Sequence, residues 1–269
     1  QRCFAVFEDT LTEPRQLVLL RGLQGVIELA ATDAPGEVFD RIEAARARGL
    51  WVVIAAQYEL GYALEPKLRD LIRHVAPAPL LKAWLFSERS DLAGDAVAAF
   101  WANEVQSLPA MQREAGLLSL EAGWRADKHA TAAGQILRAI RDGECYQVNL
   151  TFPLGGEFYG HPLALYTRLR AEQSVAYSTL VRDDDAWILS LSPELFVARS
   201  QNTLTCRPMK GTAARGRDAL DDDARGRALL ASEKNRAENL MIVDLIRNDL
   251  GKLAPAGEVK TLKLFELER

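Results

Sequence analysis

The stretch "TCRPMKGTAARG", residues 205–216, sets Lys210 between Met209 and Gly211, directly after an alternating apolar run. A lysine in such a turn is either a solvated cation or an amine aimed at a substrate, and the stretch alone leaves both open. Other side chains that could do chemistry are easier to place. His74, His129 and His161 stand apart, with no HxH or HExxH spacing, which argues against a histidine-built metal site. The aspartate triplets Asp183–Asp185 and Asp221–Asp223 invite a metal reading. The first falls in a hairpin turn and the second near a helix N-terminus, where acidic residues complement the dipole, so both read as solvated charge. No GxSxG elbow, Walker lysine loop or GxGxxG after a strand is present. Cys3, Cys145 and Cys206 are widely spaced and form no CxxC pair, which fits a reducing compartment and a cytoplasmic location. The sequon "NLT" at 149–151 is then a chance match.

The elements that must position Lys210 follow from apolar periodicity and turn chemistry. "RQLVLLRGLQGVIELAA" (15–31) reads as one or two strands. Asp33 and Pro35 offer a cap and a first-turn signal for a helix over 36–49. A buried strand over 50–58 follows, then the Pro-rich loop "APAPL" and a strand over 80–88. A helix over roughly 128–141 ends at Gly143 and leads into a strand, "ECYQVNLTFPL", and a loop, "GGEFYGHP". After the helix "LALYTRLRAEQ" come four short strands: "VAYSTLV", "AWILSLS", "ELFVARS" and "TLTCRP". "RDDD" and "SQN" are the turns between them. Helices over 219–230 and 232–250 complete the set, the second with Ser232 as N-cap and Gly251 as C′ residue. The final "EVKTLKLFELE" reads as a strand, and a chain stopping at Arg269 inside it suggests a domain incomplete at its C-terminus.

Composition agrees with a globular protein: 269 residues, 48% hydrophobic and 26% charged. A net charge of −4 argues against a nucleic-acid partner, which wants a basic face. The longest apolar runs, such as "LWVVIAA" (50–56), are strand-length, so no membrane span is expected. The N-terminus lacks the order of a signal peptide. No period of 20–50 residues recurs, so a repeat architecture is not expected.

Three segments carry a more specific pattern: "GECYQVNLTFPL" (143–154), "LSPELFVARSQNTLTCRPMKGT" (191–212) and "SEKNRAENLMIVDLIRNDLGKLAPAGEV" (232–259). In them the chain resembles the chorismate-utilising enzymes, clearly over 128–269 and more loosely before that, including "AAQYELGYALEP" (55–66). The resemblance is closest to the branch of aminodeoxychorismate synthase component I, also called para-aminobenzoate synthase component I. Anthranilate synthases typically read P-I-A-G-T where this chain has "PMKGT", and K-E-x-x-E-H where it has "KNRAEN".

The resemblance implies an α+β, chorismate-binding-enzyme-like fold with largely antiparallel sheets flanked by helices. It implies an N-terminal part over 1–120 and the beginning of the catalytic core over 121–269. The activity it implies is conversion of chorismate and ammonia to 4-amino-4-deoxychorismate, in folate and para-aminobenzoate biosynthesis. Lys210 would be the nucleophile and must spend time as the free amine, with Arg207 one source of nearby positive charge. Glu194, sixteen positions before Lys210 on the neighbouring strand of a hairpin, would be the general acid, suited by a partly buried carboxyl. Gly211 and Thr212 would contact the substrate, and Glu238 would be a ligand of Mg²⁺, its other ligands lying in a C-terminal portion. Ammonia would come from a glutamine amidotransferase subunit. Two alternatives stand beside this: anthranilate synthase component I or another chorismate converter, and a catalytically inactive fragment that only binds a ligand or partner. Without the pattern, Lys210 is a solvated turn residue, Glu194 merely starts a strand and Glu238 pairs with Lys234 on an exposed helix face.

Overall fold

The computed structural model describes residues 3–74 and 78–268. The side chains of residues 73 and 74 lie outside the description, as does part of the expected Pro-rich loop, so His129 and His161 are the histidines that can be placed. The elements run β1 (Cys3–Asp9), β2 (Gln16–Leu29), α1 (Pro35–Ala47), β3 (Trp51–Ala56), α2 (Leu60–Leu64) and a 3₁₀ segment (Pro66–His74). Then come β4 (Leu81–Ala93), α3 (Asp95–Gln106), β5 (Gly116–Ala122), α4 (Ala126–Arg141), β6 (Leu154–Tyr159) and α5 (Pro162–Glu172). The chain continues through β7 (Tyr177–Asp183), β8 (Ala186–Ser192), β9 (Leu195–Ser200), β10 (Thr203–Arg207), α6 (Ala219–Ala231) and α7 (Glu233–Gly251). This is the α+β class expected.

Residue packing divides the chain into two units, 1–191 and 192–269. The first is built on a six-stranded sheet of order β3-β4-β2-β1-β7-β8, with β1 antiparallel to β2 and β7, and β4 antiparallel to β2 and β3. Period-two alternation decides what each face buries. Phe4 and Val6 of β1 pack with Val97 and Trp101 of α3 and with Leu163 and Tyr166 of α5. Cys3 and Ala5 join Trp84 and Phe86 of β4 and Val181 of β7 in a separate cluster. Val38, Ile42 and Ala45, spaced along one stripe of α1, pack against Ile27, Leu29, Ala83 and Leu85. Each fully buried Leu, Val or Phe contributes about 1.5–3 kcal/mol.

Polar groups in this core are paired. Glu8, 3% exposed, takes both oxygens to the Arg170 guanidinium and accepts from Trp101 Nε1 at 3.0 Å. Tyr166 Oη and Ser178 Oγ lie 2.5 Å apart; burial pushes the phenol up to about 12, opposed by the Ser178 bond. Burial likewise pushes the Cys3 thiol up to about 11, consistent with an inert, space-filling cysteine. His161 Nδ1 accepts from the Leu163 N–H at 3.2 Å and caps α5, and burial together with Arg182 holds its imidazole below the usual range.

Five expectations are corrected. Asp33 does not cap α1: its Oδ2 accepts from the Ala30 N–H at 2.7 Å, closing the preceding turn, and Ala34 occupies the cap position. β3 is not a buried strand but a sheet edge, where Trp51 and Ile54 are exposed and Val53 alone is buried. The strand expected over 144–154 is shifted: pairing begins at Leu154 and runs through the glycine-rich stretch read as a loop. A Cβ on Gly156 would lie 2.0 Å from the Ser119 carbonyl oxygen, so the close approach of β5 requires glycine. α7 passes through Gly251 to a cap at Lys252 with helical φ, so Gly251 is not a C′ residue. Residues 258–268 form no strand, because a strand needs a ladder partner; the segment is held instead by Arg236 over the Phe265 ring (4.4 Å) and an Arg207–Glu268 ion pair (2.5 Å).

The second unit, 192–269, comprises the β9–β10 hairpin, α6 and α7. Gly226 is its one buried residue among those described. The β5–β6 pair, in the first unit, spans the functional division expected at 120/121. No helix among the described residues is long and apolar enough to cross a membrane.

Candidate active site

The hairpin builds the site. Its register pairs Thr203 with Ser200 and Arg207 with Leu195, with an irregularity between Thr205 and Arg207, and its turn places Gln201 at φ 52°. Because Leu195 faces Arg207, Glu194 falls opposite the residues that follow β10. Its Oε1 accepts from the Met209 N–H at 2.9 Å. Ser192 Oγ accepts from the Glu194 N–H (3.3 Å) and donates to the Glu194 carbonyl (3.1 Å), fixing the corner at Pro193. Lys210 is half-buried, and its Nζ donates to the Met209 carbonyl at 3.0 Å. The backbone of Met209 thus bridges the two residues expected to do chemistry, its N–H on the carboxylate and its C=O on the amine. Glu194 itself is exposed, not partly buried, because its carboxylate reaches along the hairpin to a backbone donor. Arg207 does not lend a free charge to Lys210, since its guanidinium is paired with Glu268.

α7 forms the other side. Ser232 caps it, Oγ accepting from the Asn235 N–H at 3.3 Å, as the sequence indicates. Asn239 Nδ2 makes a long hydrogen bond, 3.5 Å, to the Pro208 carbonyl. Gly211 has φ +79°, and a Cβ there would meet Asn235 Cγ at 2.9 Å. Only glycine meets both constraints. Thr212 is exposed. Asn235 and Asn239, which the sequence offers only as branch markers, are therefore contacts of the lysine turn. Their signal was their four-residue spacing on one helix face, paired with a glycine after the lysine.

Glu238 is half-buried, and its Oε1 lies 3.8 Å from Nζ of the exposed Lys234, the helical pair that its spacing allows. Among the described residues no three His, Cys, Asp or Glu side chains converge to hold a metal ion. The described residues therefore do not by themselves fit a Mg²⁺ site. The aspartate triplets form ion pairs, and Asp183 and Asp221 are partly covered rather than freely solvated. Asp183 pairs with Lys82 (2.6 Å), and Asp221 with Arg217 and Arg225 near the start of α6.

Residues 12–269 match the family model described as chorismate binding enzyme. The chain belongs to that family. Within it, 169 residues are 37% identical to aminodeoxychorismate synthase component 1 of Klebsiella aerogenes, covering 61% of this chain and 37% of that protein. A further relative, anthranilate synthase component 1 of Thermus thermophilus, is 32% identical over 58% of this chain and 34% of its own length. The matched segments thus span about a third of these curated relatives. The crystal structure of anthranilate synthase component I from Streptococcus pneumoniae superposes with a TM-score of 0.73 at 18% identity, covering 96% of this chain and 66% of that one. The likeness is one of fold, and it matches the architecture above.

Proposed function

We propose that the chain is part of an aminodeoxychorismate synthase component 1, with residues 121–269 belonging to its catalytic core and residues 1–120 to its N-terminal part. The observation that carries this is Lys210 on a turn clamped between Glu194 and α7, where the anthranilate branch has alanine. In this reading the free amine of Lys210 adds at C2 of chorismate, the ring double bond shifts, and the C4 hydroxyl departs as water with a proton from Glu194. The adduct nitrogen then returns a proton to the Glu194 carboxylate. Ammonia adds at C4 as the lysine nitrogen leaves C2 with the proton held by Glu194, the new ammonium returns a proton to that carboxylate, and the sum is chorismate plus ammonia giving 4-amino-4-deoxychorismate and water. Two displacements account for retained position and configuration, which one direct displacement would not give. Lys210 must first leave the Met209 carbonyl, and Glu194 must give up the Met209 N–H or share it.

Ammonia supply from a glutamine amidotransferase partner, a cytoplasmic setting and a place in para-aminobenzoate formation belong to the same proposal, of which the relative's name, a component 1, supports a second component. Mg²⁺, which would neutralise a substrate carboxylate, is proposed from the family resemblance alone, with Glu238 as one donor. The Thermus relative supports a second reading, anthranilate formation. Product analysis of the full-length protein with chorismate, Mg²⁺ and ammonium separates the two. 4-Amino-4-deoxychorismate is expected. Anthranilate with pyruvate as the main product would transfer the assignment to the other branch, and no product at all would favour a chain that only binds.

A further inference from the structure

The four residues Pro208–Gly211 are held at both ends and in the middle. Asn239 donates to the Pro208 carbonyl at 3.5 Å, Glu194 accepts the Met209 N–H at 2.9 Å, and the Asn235 side chain lies beside Gly211, filling the space a Cβ there would take. Asn235 and Asn239 are four residues apart on α7, so one face of one helical turn meets both ends of the turn that carries Lys210. The remaining freedom is small: Pro208 has a fixed φ and Gly211 sits at φ +79°. A lysine side chain has four rotatable carbons, so the place its amine reaches is only as defined as the backbone beneath it.

We propose that Asn235 and Asn239 are positioning residues for the Lys210 amine. They hold the Pro208–Gly211 turn against α7, so that the amine moves from the Met209 carbonyl to the substrate along one path. This rests on the reading of Lys210 as nucleophile. The contacts of the two asparagines are with the turn, and they act through it. Replacing either lets the turn drift, and loss of near-attack geometry lowers the rate of bond formation far more than it lowers ground-state binding.

The test uses the full-length protein and three variants: Asn235→Ala, Asn239→Ala and the isosteric Asn239→Asp, which removes the donated N–H without opening a void. Two measurements are made on each. One is the rate at which Lys210 is acetylated by a dilute amine-reactive reagent without substrate, read by peptide mass spectrometry with Lys234 and Lys252 as internal references. The other is the single-turnover rate of adduct formation on Lys210 with chorismate and Mg²⁺, alongside KM. The expected result is a changed Lys210 labelling rate with unchanged reference lysines. Adduct formation should be about 10–100-fold slower while KM stays within about threefold. A melting temperature close to that of the unaltered protein shows that the fold is kept, and Asn239→Asp serves if an alanine variant fails this. Labelling and adduct rates within about twofold of the unaltered protein would overturn the proposal while leaving the nucleophile intact. No adduct in the unaltered protein would remove the nucleophile reading and this proposal together, and that outcome is told apart by the starting protein alone.

Discussion

Lys210 and Gly211 carry the sharpest consequences at the scale of single residues. Arginine keeps the charge of Lys210 but cannot become a free nucleophile at accessible pH, so Lys210→Arg distinguishes a surface cation from a nucleophile. We expect Lys210→Arg and Lys210→Ala to lose turnover alike, roughly 10³-fold or more, when 4-amino-4-deoxychorismate formation is assayed on the full-length protein. Activity retained in the arginine variant would return Lys210 to the role of a solvated cation. Gly211→Ala meets two obstacles, φ +79° and the Asn235 side chain 2.9 Å from the new Cβ. Its strain is about 1–3 kcal/mol, stored at the turn itself. The variant should therefore lose activity and melt several degrees lower, which an activity assay beside calorimetry would reveal.

At the scale of elements, β4 and β7 are joined by a charged cluster. Asp183 accepts from Trp84 Nε1 at 2.9 Å and pairs with Lys82, which also reaches Glu28 at 3.3 Å. Burial raises the Asp183 carboxyl, but the bonds from Lys82 and Trp84 outweigh it and hold the group below its ordinary value. The bond to Asp183 holds Lys82 above its own. A depressed carboxylate contributes stability that is full above its unfolded pKa and disappears as pH falls through the folded one; the raised lysine contributes below its unfolded pKa and loses this as pH rises through the folded one. Asp183→Asn should cost about 1–2 kcal/mol at about pH 7 and less at about pH 3, read from urea midpoints at each pH. An equal loss at both would show that the charge does not matter. Glu8→Gln strikes the buried carboxylate between α3 and α5, and stranding Arg170 should cost about 3–5 kcal/mol in the same urea measurement. Elements whose signals are local were legible in the sequence: the β9–β10 hairpin with its "SQN" turn, and α7 with Ser232 before it. Elements defined by a distant partner were not. "LGGEFY" looks like a loop until Ser119 is known to lie against Gly156, and 258–268 looks like a strand until no ladder partner is found. The same distinction holds in the site. The hairpin spacing of Glu194 and Lys210 could be read from the chain, whereas the contacts of Asn235 and Asn239 depend on how α7 meets the turn.

Across the molecule, burial is concentrated in the first unit, where β1 is covered on both faces, while the second holds its elements by a hairpin ladder, helix caps and exposed ion pairs. Hydrogen exchange should follow this, with amides of β1, β2 and β4 protected longest and those of β9, β10 and α7 exchanging earlier; uniform protection would contradict it. A site on the more labile unit is consistent with a lysine that must leave one hydrogen bond to act. The most direct measurement is intact-mass and peptide mass spectrometry of the full-length protein incubated with chorismate and Mg²⁺ in the absence of ammonia. The expected result is an added mass of chorismate less water, located on Lys210 and discharged when ammonium is added. An unmodified Lys210 in protein that turns over chorismate once ammonium is supplied would contradict the covalent route.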